Sequence, residues 1–351
     1  MSKTHGTQYY PAFDYLRIVL ATTVAVGHAG IPLWENSGNL AVQIFFAMSG
    51  WLIGGILLRS TPQDLPRFYF NRAARIWIPY FVAIMLLMAA SLLKEPVTAK
   101  WLEFFFYKIT FVYDFFGPPQ LDQSQNDMPL DGTGHHFWSI AAEEQFYLFA
   151  PFLIAVIPSR IGRSIWFWVM LAMAANVSIY WNYFGAISLG VLAAVVRFRA
   201  GDWHALPVAK AALAITAVIL VATTYFGPLD YRIGAPLFSL CVVLLLAQPG
   251  EHSPVAAFVG GVSYPMYLNH WIGVFIANAA FGAIGQRGSL LCQISGVILS
   301  LAISAVLFVV VDLKVRLNRD RYYSAVRGKI AAITGFTLVA IGMAGGILFM
   351  L

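Results

Sequence analysis

The sequence predicts an all-α fold, a polytopic bundle of transmembrane helices. Of its 351 residues, 60% are hydrophobic and 11% are charged, and the mean hydropathy is +0.73. Soluble globular chains carry about 25% charged residues, so this chain has too few to cover its apolar surface in water. Apolar stretches of roughly 20 residues, the length that crosses a bilayer, recur along the chain. Composition therefore excludes a soluble globular protein, and the lipid bilayer is the first predicted partner.

Eleven apolar stretches are predicted to span the membrane. The predicted spans are residues 13–33, 40–58, 77–93, 137–157, 165–181, 183–200, 207–225, 234–248, 262–282, 290–313 and 330–351. A twelfth apolar stretch, residues 101–117, contains Glu103, Lys108 and Asp114, and we predict that it is a re-entrant or interfacial helix.

Basic residues indicate how these spans are oriented. They cluster in the loops 59–76, 158–164 and 314–329 and in the segment 197–210. The positive-inside rule places such segments in the cytoplasm, and it explains the net charge of +6 better than nucleic-acid binding does. All four segments lie inside only if residues 94–136 stay outside as a whole. Loop 118–136, with three Asp and no Lys or Arg, suits that location. We therefore predict a cytoplasmic N-terminus and an external C-terminus.

Domain organisation follows from the absence of long polar segments. No loop is long enough to fold alone, so we predict one membrane domain, residues 1–329, with an additional C-terminal transmembrane helix, residues 330–351. The two cysteines, Cys241 and Cys292, each lie in an apolar run. Neither a disulfide nor a metal site is predicted.

Ionisable side chains inside spans are the informative ones, because each costs a few kcal/mol and marks a function or a paired contact. In the first span, His28 follows Arg17 by eleven residues, so the two lie on one helical stripe about 16 Å apart. A neutral imidazole can take a proton from a hydroxyl near pH 7, which makes His28 a candidate base. The alternative is that His28 only bonds a neighbouring helix. Asp14 is predicted to neutralise Arg17.

Two further motifs precede the third span. Ser49 and Gly50 are predicted to form a packing notch, since Ser49 needs a neighbouring base to act as a nucleophile. Arg72 and Arg75 lie one helical turn apart at the predicted cytoplasmic end of the next span. Two guanidinium groups there are suited to the phosphates of a soluble donor, and membrane anchoring by positive charge is the alternative.

The segment that begins the 137–157 span has one polar face. His136, Ser139, Glu143 and Tyr147 lie at helical spacing on it, whereas Glu144 points to another side. Glu143 is therefore the carboxylate predicted either to orient a histidine or to titrate with a raised pKa.

A second polar face begins the 262–282 span. Ser263, Tyr267 and His270 share it. His270 is either a second functional imidazole or a hydrogen-bonded core residue.

Together these segments resemble the acyltransferase-3 family of membrane-bound enzymes, which O-acylate bacterial cell-surface sugars. The matching pieces are Asp14-Tyr-Leu-Arg17 with His28, Phe45-Phe46 with Ser49-Gly50, Arg72-Ala-Ala-Arg75 with Pro79, Trp138-Ser139 with Glu143 to Leu148, and Ser263-Tyr264 with Tyr267-Leu268 and His270. The resemblance implies an acyl donor used from the cytoplasm, usually acetyl-CoA, with another short acyl group as the alternative, and a carbohydrate acceptor beyond the membrane. It also implies a location in the bacterial inner membrane, essential roles for Arg17 and His28, and His28 as the best catalytic candidate. The family's basic pair at 71–72 is Asn71-Arg72 here.

The predicted mechanism places the coenzyme A phosphates at Arg72 and Arg75 and its thioester arm past Arg17. His28 then deprotonates the sugar hydroxyl, and Glu143 holds or tunes the site. Seven further residues are predicted to contact either the substrate or the residues that do: His136, Ser139, Tyr147, Ser263, Tyr267, His270 and Ser49. Direct transfer and a transient acyl-histidine both fit. A proton-coupled transporter is the main alternative function, although no inverted repeat is found between the halves, and a purely structural scaffold is the third. Because the lipid-facing sides of the spans are apolar all round, the sequence is also compatible with a homo-oligomer.

Overall fold

The computed structural model describes residues 8–118, 127–177 and 183–351, which form helices and no strand. In chain order the α-helices are α1 (Pro11–His28), α2 (Ser37–Leu57), α3 (Leu65–Ser91), α4 (Ala99–Ile109), α5 (Tyr113–Phe116), α6 (Pro129–Gly132), α7 (Trp138–Pro151), α8 (Ser159–Gly162), α9 (Ile165–Val177), α10 (Tyr183–Ala200), α11 (Pro207–Tyr225), α12 (Tyr231–Leu246), α13 (Pro254–Gly282), α14 (Leu290–Leu307), α15 (Leu313–Tyr322) and α16 (Ala325–Met350). The predicted all-α class is confirmed.

A helix lies at the position of each predicted span, except that residues 178–181 of the span 165–181 lie outside the described residues. Six helical segments of the described chain are long and apolar enough to cross a bilayer. They are Ser37–Leu57, Pro62–Ser91, His135–Val156, Pro207–Tyr225, Leu290–Tyr322 and Ala325–Met350. Two other predicted spans coincide with shorter apolar helices, Ile165–Asn176 and Tyr231–Leu246, and the total of eleven crossings stays a prediction.

Several helices begin earlier or end later than the apolar pattern indicates. Much of the basic loop 59–76 is helical, because α3 begins at Leu65 with Pro66 in its first turn, where proline costs no hydrogen bond. The loop 314–329 is also partly helical, since α14 continues through the π-helical turn Phe308–Asp312 into α15. Apolar periodicity identifies the buried part of a helix, and a polar extension of the same helix carries no such signal.

The chain divides into two compact units. The first contains Met1–Gly27, Pro32–Thr61 and Phe152–Tyr264. In it, α2 and α10 approach closely through reciprocal glycines. A methyl group added to Gly50 would overlap the carbonyl oxygen of Ile187, and one added to Gly190 would overlap that of Ala47. The packing notch predicted at Gly50 is confirmed.

The second unit contains His28–Ile31, Pro62–Pro151 and Pro265–Leu351. Its C-terminal helix α16 packs on α3, α4 and α7. The glycines on the packed face of α16 are Gly328, Gly335, Gly342 and Gly346, and an added methyl group on each would meet Pro66, Leu148 and Trp77, Thr110, and Phe116 respectively. Small residues at these positions allow the close helix approach that stabilises membrane proteins.

Helix α4 matches the predicted non-spanning helix in position but ends at Ile109, eleven residues after it begins. At 1.5 Å per residue it is about 16 Å long, too short to cross a bilayer. Its Lys108 is fully buried, with Nζ 4.0 Å from the ring centre of Tyr113 and no hydrogen-bond partner among the described residues. Burial lowers the pKa of Lys108 to about 7.

We expect Lys108→Met to raise the melting temperature of the detergent-solubilised protein at pH 6 more than at pH 9.5. Below pH 7 the folded chain carries a buried ammonium, whereas at higher pH the folded chain has lost a proton that the unfolded chain, with a lysine pKa of about 10.4, still binds. The cost of the lysine therefore falls as pH rises. Lys100→Met, on the same helix but exposed beside Glu103, is the matched control. A gain from Lys108→Met that is constant between these pH values contradicts the argument.

Candidate active site

Three histidines from distant parts of the chain meet in the second unit. His28 ends α1, His136 lies in the 3-10 turn His135–Phe137, and His270 lies in α13. The ring centres are 5.0 Å apart for His28 and His270, 4.6 Å for His136 and His270, and 5.7 Å for His28 and His136. The structure therefore brings together the three imidazoles that the sequence singled out, which we call the histidine cluster.

Hydrogen bonds fix which ring nitrogens of His28 and His270 carry a hydrogen. Nδ1 of His270 is 2.9 Å from the carbonyl oxygen of Tyr267 and 3.2 Å from that of Met266. A carbonyl only accepts, so Nδ1 carries the hydrogen and Nε2 of neutral His270 has a lone pair. Nδ1 of His28 lies 2.8 Å from that Nε2 and must donate to it. The Nε2 atom of His28 is left with a lone pair.

This orientation gives the accessible imidazole the properties of a base. His28 is exposed, whereas His136 and His270 are 5% and 1% exposed. An arriving hydroxyl can reach His28, and the positive charge that a proton brings to its ring is stabilised through the hydrogen bond to His270.

Local backbone geometry places His28 and His136. His28 is the last residue of α1, and Gly30 follows with a φ of +86°, which ends the helix at little cost. Gly134 precedes the histidine turn with a φ of +80°, and a methyl group there would overlap the side chain of Leu87. Glycine thus allows this turn to lie against α3.

Ser139 and Tyr267 hold the His136 turn against α13. The Ser139 and Tyr267 hydroxyl groups are 2.6 Å apart, and each lies 3.1 Å from the carbonyl oxygen of His136. The edge of the Tyr267 ring also packs against the His136 imidazole, with ring centres 5.4 Å apart. These two predicted residues therefore position a histidine through its backbone.

Glu143 lies further along the predicted stripe of α7 and accepts a hydrogen bond from Tyr147, one turn on. The guanidinium carbon of Arg72 is 5.7 Å from the centre of the Tyr147 ring, and Arg72 interacts electrostatically with Glu143. The structure thus groups Arg72, Glu143 and Tyr147, three of the residues that the sequence singled out.

Glu144 is a residue whose importance the sequence did not indicate. It is 2% exposed, and its Oε1 accepts a 2.7 Å hydrogen bond from Trp77 Nε1 on α3. Its Oε2 is buried without a hydrogen-bond partner in the described residues, although Arg72 is near enough to interact electrostatically. The adjacent-carboxylate motif was visible in the sequence, but only the packing of α3 identifies which of the two is buried.

The two arginines of α3 that were predicted to bind phosphate, Arg72 and Arg75, differ in their surroundings. Arg72 is half-buried, and its Nε has no hydrogen-bond partner among the described residues, whereas Arg75 is exposed. Arg67, also on α3, is already paired with Asp320 and lies over the ring of Tyr323. Arg75 is therefore the more accessible of the two predicted phosphate-binding groups.

Arg17, Ser49 and Ser263 lie in the first unit, whereas the histidine cluster lies in the second. Arg17 forms a 2.8 Å ion pair with Asp14, whose other oxygen accepts from Tyr9 at 2.7 Å. The predicted neutralisation of Arg17 by Asp14 is confirmed. Ser49 is half-buried beside the Gly50 notch.

Ser263 has a local contact. Its hydroxyl donates to the Gly260 carbonyl of its own helix at 2.6 Å. Gly260 in turn lies so close to Asp14 that an added methyl group would overlap that side chain. Ser263 thus belongs to the packing of α13 beside α1 within the first unit.

The histidine cluster is also the one group of His, Cys, Asp and Glu side chains within residues 8–118, 127–177 and 183–351 that is placed to hold a metal ion. One ring nitrogen from each histidine lies within 4.8 Å of the other two. The sequence had not predicted a metal, because the three residues are far apart along the chain.

Comparison with known proteins identifies the family. A family model described as an acyltransferase domain matches residues 10–309, which include every residue of the candidate site. The chain belongs to this family. The match confirms the resemblance to the acyltransferase-3 family, and together with the long apolar helices it makes the chain a multi-pass membrane protein.

Curated relatives carry related names. The chain is 30% identical to the peptidoglycan O-acetyltransferase OatA of Listeria monocytogenes over 161 residues, which are 43% of this chain and 25% of that protein. Over 323 residues it is 25% identical to a Staphylococcus aureus protein that is named a putative O-acetyltransferase. Those residues are 77% of this chain and 52% of that protein. The chain thus spans from a quarter to about half the length of these relatives. No solved structure gives a significant match.

We expect Ser139→Ala and Tyr267→Phe each to lower the free energy of unfolding by about 1 kcal/mol, the usual net worth of a hydrogen bond. Because both hydroxyl groups serve the same His136 carbonyl, the double variant should lose less than the sum, measured by thermal or denaturant unfolding in detergent. Ser263→Ala, which removes a bond within one helix, is the control. Strictly additive losses would show that the two hydroxyl groups act independently.

Proposed function

We propose that this chain is an integral membrane O-acetyltransferase. It moves an acetyl group from cytoplasmic acetyl-CoA to a sugar hydroxyl of a cell-surface or exported polysaccharide or its lipid-linked precursor. Membership of the acyltransferase family and the names of the relatives support the reaction class. The observation that carries the mechanism is the orientation of His28, an exposed residue whose Nε2 has a lone pair.

The reaction starts when His28 Nε2 takes the proton of the sugar hydroxyl as its oxygen attacks the thioester carbonyl carbon. The His28 Nδ1–H stays bonded to His270, which stabilises the imidazolium. A tetrahedral oxyanion forms and collapses, the carbon–sulfur bond breaks, and the coenzyme A sulfur leaves with the proton from His28. The products are an acetyl ester and the free thiol.

The donor is held by charge at the predicted cytoplasmic side. Coenzyme A carries phosphate groups that do not enter lipid, and a planar guanidinium binds phosphate through paired hydrogen bonds. Exposed Arg75 is the contact proposed for these phosphates. Arg72, which faces Glu143, Glu144 and Tyr147, supports α7 beside it, and Arg17 is proposed to lie along the path of the thioester arm.

The acceptor is proposed to be carbohydrate that arrives from outside a bacterial inner membrane. OatA of Listeria monocytogenes is named for peptidoglycan, so peptidoglycan strands and their lipid-linked precursors are the first acceptors to test.

We expect His28→Ala to lose about 10²- to 10⁴-fold of the transfer rate, which is the range for removal of a general base. The measurement is transfer of radiolabelled acetyl from acetyl-CoA to added glycan, in vesicles that hold the wild type or a variant. Because His28 is exposed, added imidazole should restore part of the rate in His28→Ala. His270→Gln should lower the rate with the Michaelis constant for acetyl-CoA unchanged.

His135→Gln is the matched control, because His135 adjoins the cluster but its Nδ1 faces the hydroxyl of Tyr113. If the radiolabelled acetyl group becomes covalently bound to His28 when acetyl-CoA is supplied without glycan, the reaction proceeds through an acyl-histidine and direct transfer is excluded. If folded wild type transfers no label to any of a range of glycans, the proton-coupled transporter becomes the better explanation.

We expect Arg75→Gln to raise the Michaelis constant for acetyl-CoA about tenfold. Loss of one charged hydrogen-bonded contact costs about 1.4 kcal/mol of binding free energy, which corresponds to that factor. The rate at saturating donor should change little. Arg67→Gln is the matched control on the same helix, because that guanidinium is paired with Asp320. An unchanged constant in Arg75→Gln, with normal transfer, would exclude this arginine from the donor site.

A further inference from the structure

The proposed reaction uses two members of the histidine cluster and leaves the third unexplained. His136 is 5% exposed, and its Nε2 is buried without a hydrogen-bond partner among the described residues. A buried polar atom left unsatisfied costs about 1–3 kcal/mol. The His136 ring lies beside two other imidazoles, so a ligand that the three rings share and that His136 binds through this atom would satisfy it.

The spacing of the rings suits a metal ion. Nδ1 of His28 and Nε2 of His270 are 2.8 Å apart, and nitrogens from all three rings lie within 4.8 Å of one another. Nitrogens bound to tetrahedral zinc at about 2.0–2.1 Å lie about 3.3 Å from each other. This nitrogen–nitrogen separation falls inside the range observed between the three rings, so small movements of the side chains would bring all three nitrogens to bonding distance of one ion.

The surroundings of the cluster match those of histidine metal ligands. The second ring nitrogen of such a ligand usually donates to a carboxylate or a backbone carbonyl, as His270 Nδ1 does to Tyr267. The group holds imidazoles and no carboxylate, a donor set that favours zinc, copper or nickel over magnesium or calcium. Exposed His28 leaves one side open for a fourth ligand.

We propose that His28, His136 and His270 bind one divalent transition-metal ion of the zinc class, and that the bound ion blocks acetyl transfer. The second half rests on the proposed function. To bind metal through Nδ1, the atom that faces His270, neutral His28 must move its hydrogen to Nε2. That nitrogen then has no lone pair for the sugar hydroxyl, so metal and substrate proton compete for one imidazole.

The test begins with binding, measured apart from activity. The full chain, purified in detergent and stripped of metal, is titrated with Zn²⁺ and, for the visible spectrum of a tetrahedral site, with Co²⁺. We expect one ion per chain, and an affinity more than about tenfold weaker in His136→Gln and in His270→Gln. His135→Gln should bind like the wild type. Bound Zn²⁺ should also raise the melting temperature of the wild type, which checks the fold independently.

The second arm measures transfer in the same vesicles. Zn²⁺ at ten times its dissociation constant should lower the wild-type rate about tenfold, with full recovery after chelation. At the same Zn²⁺ concentration His136→Gln should lose at most about half of its own metal-free rate, because its affinity is at least about tenfold weaker. Absence of zinc binding, or equal binding in the variants, overturns the metal site and leaves the transferase proposal intact. Transfer that chelation abolishes and Zn²⁺ restores overturns the inhibition and also the free-imidazole mechanism.

Discussion

The hydrogen bond from His28 to His270 is the interaction on which the candidate site depends, and its direction is fixed by the backbone of α13. The Tyr267 and Met266 carbonyls hold the hydrogen of His270 on Nδ1, so Nε2 is an acceptor. His28 must then donate through Nδ1 and present Nε2 as a base. A helix carbonyl has no alternative protonation state, which makes it a more reliable orienting group than a titratable carboxylate would be. The chemistry of an exposed side chain is thus set by a buried segment 242 residues away in sequence.

Helix positions could be predicted from the sequence because each packed or lipid-facing helix repeats an apolar pattern over some 20 residues. The prediction failed where polar residues extend a helix, as in the segment of α3 that carries Arg67 and Arg72. It also could not establish how many helices cross the bilayer, since two that coincide with predicted spans are shorter than a typical span. Local signals such as Pro66 in the first turn of α3 were present in the sequence but are weak alone.

The sequence identified individual residues of the site, but it did not show which residues on different helices are in contact. An ionisable group in a span is costly, and that cost identified His28 and His270. His136 was identified by helical spacing, because it shares a polar face with Ser139 just before the span 137–157. Asp14 and Arg17 could also be paired, because three residues along one helix bring side chains together. No comparable spacing along the sequence predicts which residues of two different helices are in contact. The choice of Glu143 over Glu144 shows the limit, since helical periodicity separates two adjacent carboxylates but only the position of Trp77 decides which one is buried.

Helix α16, which follows the matched acyltransferase region, contributes to the same set of contacts. Its Gly335 lies against Leu148 of α7 and against Trp77, the residue that donates to Glu144. A larger residue at 335 would push on that indole, and the indole holds a carboxylate whose second oxygen is buried without a hydrogen bond in the described chain. That carboxylate also interacts electrostatically with Arg72 beside it. Helix α16 therefore acts on Glu144 of α7, and on Arg72 beside it, through Trp77.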